Sequence, residues 1–168
     1  MNNNLLIIGA GEYGMMAKEI AEEMGCFEKI DFLDVDFELA VGKIDNFESM
    51  YSDYGYAIAT CEDGDERVAM NHRLEEALYV IPVLAHPKSI ISSSANLMKG
   101  CMALPGAVVE LQTTVGIGSI IGANCVVEHH CFIGDGCLLK AGTIVRANSV
   151  VAGGSVTEYG SVLWKSLN

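Results

Sequence analysis

The chain has 168 residues and a formal net charge of −12 at pH 7. Residues 1–89 carry 18 Asp and Glu against 6 Lys and Arg, whereas the rest carries 4 of each. So acidic a first half repels phosphate backbones and anionic headgroups, which argues against nucleic acid and membrane surfaces as partners. No apolar run reaches the roughly 18 residues a membrane span needs. The start, MNNNLLIIGAGEYG, has neither a basic n-region nor a cleavage pattern, so a cytoplasmic protein is expected.

Leu5–Ile8 reads as a strand, followed by Gly9-Ala10-Gly11-Glu12-Tyr13-Gly14 and a helical stretch over 15–24 that Gly25 stops. Residues 30–33 form a second strand running into Asp34, and 56–59 a third. Residues 65–78 are an amphipathic helix with Asp63 or Asp65 near its start, and Val80–Leu84 reads as a fourth strand. This alternation specifies a small parallel α/β sheet. A Gly-x-Gly-x-x-Gly turn between strand and helix can aim backbone N–H groups at a phosphate, or serve helix–strand packing alone. Asp34, at the end of the next strand, is placed to bond a ribose or base. Together they favour a phosphate or nucleotide site at Gly9, Gly11, Gly14 and Asp34, although the surrounding acid opposes a tightly held pyrophosphate. The sheet is too short for a two-half dinucleotide fold, which disfavours NAD.

His86-Pro87 marks the change to a second domain, giving expected domains of 1–86 and 87–168. From Ile91 to Val156 the chain repeats every six residues, eleven times, without an insertion. The first slot is Ile, Leu or Val except at Ala103, and the fifth is always Ala, Cys, Ser or Thr. One bulky and one small inward residue per hexad specify a parallel β-helix. Cys101, Cys125, Cys131 and Cys137 occupy the small slot, so they are read as core filling rather than disulfides or metal ligands. With three hexads per coil, residues 18 apart stack. One outer face then shows Ile90, Val108, Val126 and Ile144, and another Met102, Ile120, Leu138 and Val156; the third, with Asn96, Thr114, Phe132 and Val150, is more polar. Two apolar faces need cover, from neighbouring copies in a homotrimer or from a helix of the chain itself. Residues 157–168 lose the period, and Val162, Leu163 and Trp164 are expected to plug the open end.

Two corners of the coil repeat Gly or Asn, at Gly100, Gly118, Gly136 and Gly154 and at Gly106, Asn124 and Gly142. The remaining corner has no glycine and reads Ser94, Gln112, His130 and Asn148, beside the column Ser93, Leu111, His129 and Ala147. Histidine near neutrality suits general-base chemistry, and Glu128 or His130 is placed to orient His129. The bland reading is two solvated histidines on a polar corner. His72 is read as surface or helix packing and His86 as structural. Two histidines in the repeat are too few for a three-histidine zinc site, so no metal is expected.

GAGEYG before a helix, FLDVD, LAHPKSIIS and VVEHHCFIGDG together resemble the sialic acid O-acetyltransferase and UDP-bacillosamine N-acetyltransferase family over nearly the whole chain. The resemblance implies a Rossmann-like nucleotide-sugar domain followed by a left-handed β-helix, assembled as a trimer. It implies acetyl-CoA as co-substrate, bound between subunits, and His129 as the base acting on an amino or hydroxyl group of a nucleotide-linked or glycan sugar. Tyr13 stands where the family has a loop histidine. Leu138 and Ala147 stand where it approaches the coenzyme. The alternative from another class is a noncatalytic sugar-nucleotide-binding or scaffolding trimer.

Overall fold

A computed structural model describes residues 2–36 and 38–164. The first module is a four-stranded parallel sheet of β1 (Asn4–Ile8), β2 (Lys29–Leu33), β3 (Ala40–Gly42) and β4 (Tyr56–Ala59), in the order β3-β2-β1-β4. Helix α1 (Glu12–Met24) starts three residues before the sequence pattern suggests and ends at Gly25, whose φ of 64° closes it in the left-handed conformation. Helix α2 (Gly64–Glu76) is capped by Asp63, whose side chain accepts from Glu66 N–H at 2.9 Å. Strand β3 escaped the sequence reading because its three residues, Ala-Val-Gly, carry no periodic signal. Val80–Leu84 is not a strand of this sheet. Val80 makes one bridge to Tyr56, and Leu84 pairs instead with Met102 of the second module.

That second module is a left-handed parallel β-helix whose two-residue strands recur every six residues from Leu84–Ala85 to Val162–Leu163, with Val156 entering as a single bridge to Leu138. Partners lie 18 residues apart throughout, as in Thr114 with Phe132 and Val126 with Ile144. The period outlasts its sequence signal at the C-terminal end: Val162 pairs with Ile144, so Val162 and Leu163 belong to a coil rather than a plug. The last coil frames a hollow of about 700 Å³ lined in part by Val151, Leu163 and Trp164. Residues 165–168, the end of the stretch that loses the period in sequence, lie outside the described residues.

Inside the prism, first-slot residues such as Val115, Ile121, Val127, Ile133 and Leu139 are fully buried. The small slot has a second duty. Cys101 donates to Gly116 O, Thr113 to Glu128 O, Ser119 to Gly134 O and Cys137 to Ala152 O, each 15 residues on. Ser, Thr and Cys interchange there because each is small and carries one polar hydrogen. All six cysteines are free. Burial pushes the Cys101 thiol up to about 12 and raises Cys125, Cys131 and Cys137 as well. Thiol titration of the native protein is therefore expected to modify exposed Cys26 and half-buried Cys61 quickly, and the four prism cysteines only on unfolding. Prompt labelling of more than two thiols in the folded protein would contradict this packing.

Only one of the two apolar faces is left for a partner copy. Met102, Ile120 and Leu138 are at most 1% exposed because α1 and the sheet lie over them, in one cluster with Leu5, Ala17, Ile20, Ala21 and Ile58. Ala17 and Ala21 let the helix approach the prism closely, and each large side chain sealed there contributes about 2 kcal/mol. The second apolar face stays open: Ile90 is 67%, Ile144 36% and Val162 49% exposed. The third face is also open, with Phe132 and Val150 exposed.

Candidate functional site

Two separate places carry the sequence-predicted residues. The first is the crevice at the carboxyl ends of β1 and β4, where the strand order reverses and parallel α/β sheets take their ligands. Gly9 has a φ of 99°, and a β-carbon on Gly14 would stand 2.0 Å from Gly9 O, so this loop needs glycine at both positions. Gly11 caps α1 without a side-chain bond and faces open space. Thr60 Oγ1 ties the loop down by donating toward the Ile8 and Gly9 carbonyls. Gly9, Gly11, Tyr13, Thr60 and Cys61 line a cleft of about 200 Å³ together with Glu12 and Glu62.

Asp34 does reach the loop, but through backbone. Its Oδ2 accepts from Ala10 N–H at 2.6 Å and its Oδ1 from Val35 and Asp36 N–H. The Ala10 bond, more than the other two, holds the carboxyl below its ordinary range. Asp34 therefore shapes the loop, with both carboxyl oxygens bonded to backbone N–H groups. Tyr13 is partly buried, and desolvation, with Glu62 nearby, raises its phenol.

The second place is the glycine-free corner. It joins the two open faces, so it lies across the prism from the face that α1 covers. Gln112, His130 and Asn148 adopt φ values of 54°, 56° and 60° there, so all three take the left-handed turn without glycine. His129 is half-buried and His130 exposed, and their Nδ1 atoms lie 2.9 Å apart in a ring-to-ring hydrogen bond with the planes at 88°. When Nδ1 of His129 carries the shared proton, Nε2 is the lone-pair nitrogen, which is the state a general base requires.

Glu128 does not orient His129. Its Oε2 accepts from Ala147 N–H at 2.7 Å, one coil on, while Glu110 accepts from His129 N–H at 3.0 Å. Glu110 was missed in the sequence, although its 18-residue spacing from Glu128 was there to be read. Ala147 stacks on the same column as His129 and is partly exposed. Leu138, the other position expected at the coenzyme, is 1% exposed beneath the first module, so it lines no open groove on this protomer. His86 is buried and its Nδ1 accepts from Lys88 N–H, which fixes the turn between modules. His72 is exposed, 3.9 Å from Glu75. No helix among the described residues is long and apolar enough to cross a membrane.

The architecture is that of a Rossmann-like module docked on a left-handed hexapeptide β-helix, with a glycine-lined crevice on one side and a histidine corner on the other. Residues 4–68, most of the first module, match the family described as the PglD N-terminal domain. The acetyltransferase domain of PglB from Neisseria gonorrhoeae FA1090 is similar over 99% of this chain and 94% of that one, at TM-score 0.76 and 21% identity. The same domain in complex with acetyl coenzyme A aligns over 98% and 94%, at TM-score 0.71 and 21% identity. A mutant of perosamine N-acetyltransferase from Caulobacter crescentus, in complex with CoA and GDP-perosamine, aligns over 97% and 91%, at TM-score 0.72 and 17% identity. No curated protein matches the chain in sequence. At these identities the structural likeness establishes the shared fold.

Proposed function

We propose that the protein is an acetyl-CoA-dependent acetyltransferase, acting on an amino or hydroxyl group of a nucleotide-linked or glycan sugar as a cytoplasmic homotrimer. The observation that carries the reading is the His129–His130 pair, with Nδ1 of one ring bonded to Nδ1 of the other and Nε2 of His129 outside that bond. His129 Nε2 takes the proton from the acceptor as its nitrogen or oxygen attacks the thioester carbonyl, and the coenzyme thiolate leaves. His130 orients the His129 ring through the bond between their Nδ1 atoms. The likeness to acetyltransferases with acetyl coenzyme A or with CoA and GDP-perosamine supports the co-substrate and the substrate class.

The trimer rests on the open apolar face and on distance. Crevice and histidine corner lie on opposite sides of one protomer, so a joint site needs a second copy. The rival, a binding trimer without chemistry, is favoured by one observation: among the described residues no carboxylate approaches within 4.0 Å of either corner imidazole. Thiol release from acetyl-CoA in the presence of UDP- and GDP-linked amino sugars separates the two. Turnover is expected in the wild type, with a loss of roughly 10²–10⁴-fold in His129→Ala. Equal rates in both proteins would sink the enzymatic reading for those acceptors.

A further inference from the structure

Arg67 is fully buried, yet among the described residues no carboxylate forms a salt bridge with it. Its five N–H donors go instead to five carbonyls. Nε meets Gly118 O; one terminal nitrogen meets Cys61 O and Glu62 O; the other meets Gly136 O and Cys137 O, at 3.0 and 3.3 Å. Three of these carbonyls belong to a corner of the β-helix. The other two belong to the wall of the crevice, at residues that line it. A guanidinium bonded to carbonyls and walled from solvent is weakly screened, so its field reaches the cavity beside it. Burial raises both the Tyr13 phenol and the Cys61 thiol, and Arg67 opposes that rise at both cleft residues, while burial lowers its own affinity for its proton.

This bears on the conflict noted in the sequence, an anion site rimmed by Glu12 and Glu62. We propose that Arg67, bonded to the back of the cleft wall, is the buried cation that lets this acid-lined crevice hold a phosphate-bearing ligand. The proposal rests on the nucleotide-sugar reading of the crevice. Arg67 touches no ligand itself; it positions the Cys61–Glu62 wall and sets the potential within it. A purely structural arginine would matter equally for charged and uncharged ligands.

The test compares UDP with uridine, and GDP with guanosine, by calorimetry on the full chain. Arg67→Met is expected to weaken the diphosphates by about tenfold or more relative to their nucleosides. Arg67→Lys, assayed at pH 6 so that the buried amine keeps its proton, is expected to hold the diphosphate-to-nucleoside ratio within about twofold, and decides the matter if Arg67→Met does not fold. Equal losses for nucleoside and diphosphate, or a collapsed ratio in Arg67→Lys, would overturn the proposal. A second readout needs no ligand. The pH midpoint of Cys61 alkylation, followed by peptide mass in a Cys26→Ser background, is expected to rise in Arg67→Met and stay near the wild-type value in Arg67→Lys. An unchanged midpoint in folded Arg67→Met would overturn the field that Arg67 is assigned. Absence of diphosphate binding in the wild type, with the Cys61 shift present, would instead remove the nucleotide-sugar reading and leave the electrostatic role of Arg67 standing.

Discussion

Two variants that are each inactive, Gly11→Phe and His129→Ala, are expected to regain about a quarter of the wild-type rate when equal amounts are unfolded, mixed and reassembled. Gly11 is suited to blocking the crevice because an added β-carbon there meets nothing within 4 Å. Its φ of −66° is ordinary for any residue, so a bulky side chain can fill the cleft without straining the loop. His129 lies across the prism, on the corner between the two open faces. If each site takes its crevice from one protomer and its histidine from the next, random mixing pairs an intact crevice with an intact histidine in about one site in four. Recovery should track the mixing ratio and vanish if the subunits are combined without exchange. A mixture that stays at the background of its parents would place crevice and base in the same protomer, against the separation seen here.

The separation itself was only partly legible in the sequence. The β-helix was, because a six-residue period fixes which side chains point in and which residues stack, whatever surrounds the prism. What covers the prism was not. Met102, Ile120 and Leu138 read as an outer apolar face, and nothing in their spacing distinguishes a neighbouring copy from Ala17, Ile20 and Ala21 of the chain's own helix. The same limit applied to Leu138 as a coenzyme residue, since position in a repeat gives direction but not company. Glu128 misled for a related reason. Its neighbour in sequence is His129, but in a coil with an 18-residue repeat its neighbour in space is Ala147 N–H. The glycine-free corner was read correctly as the place that keeps side chains, yet its backbone is as left-handed as the others. Arg67 gave no signal at all: an arginine within an acidic amphipathic helix reads as solvated, and only the docked prism buries it and supplies three of its five carbonyl partners.

Gly64→Ala is expected to cost about 3 kcal/mol or more of stability, by loosening the first module from the prism. A β-carbon on Gly64 would stand 2.1 Å from Gly136 O, and one on Gly136 would stand 2.7 Å from Gly64 O. Both obstructions are backbone, so no rotamer change relieves them, and α2 has to lift at its first residue. Arg67 sits one turn later and bonds Gly118, Gly136 and Cys137 across the same contact. Any lift stretches those bonds and leaves a buried cation short of acceptors, a loss that exceeds the clash alone. For a chain of this length the expected fall in melting temperature is roughly 6–12 °C. Gly11→Ala, in open space, should melt within a degree or two of wild type. Hydrogen exchange locates the damage. The amides of Met102, Ile120 and Leu138, on the covered face, are expected to lose protection in Gly64→Ala, while those of Val115 and Ile133, on the face that no other module covers, keep theirs. An unchanged melting temperature, or a loss spread evenly through both groups of amides, would contradict the close contact of α2 with the corner and the role given to Arg67 behind it.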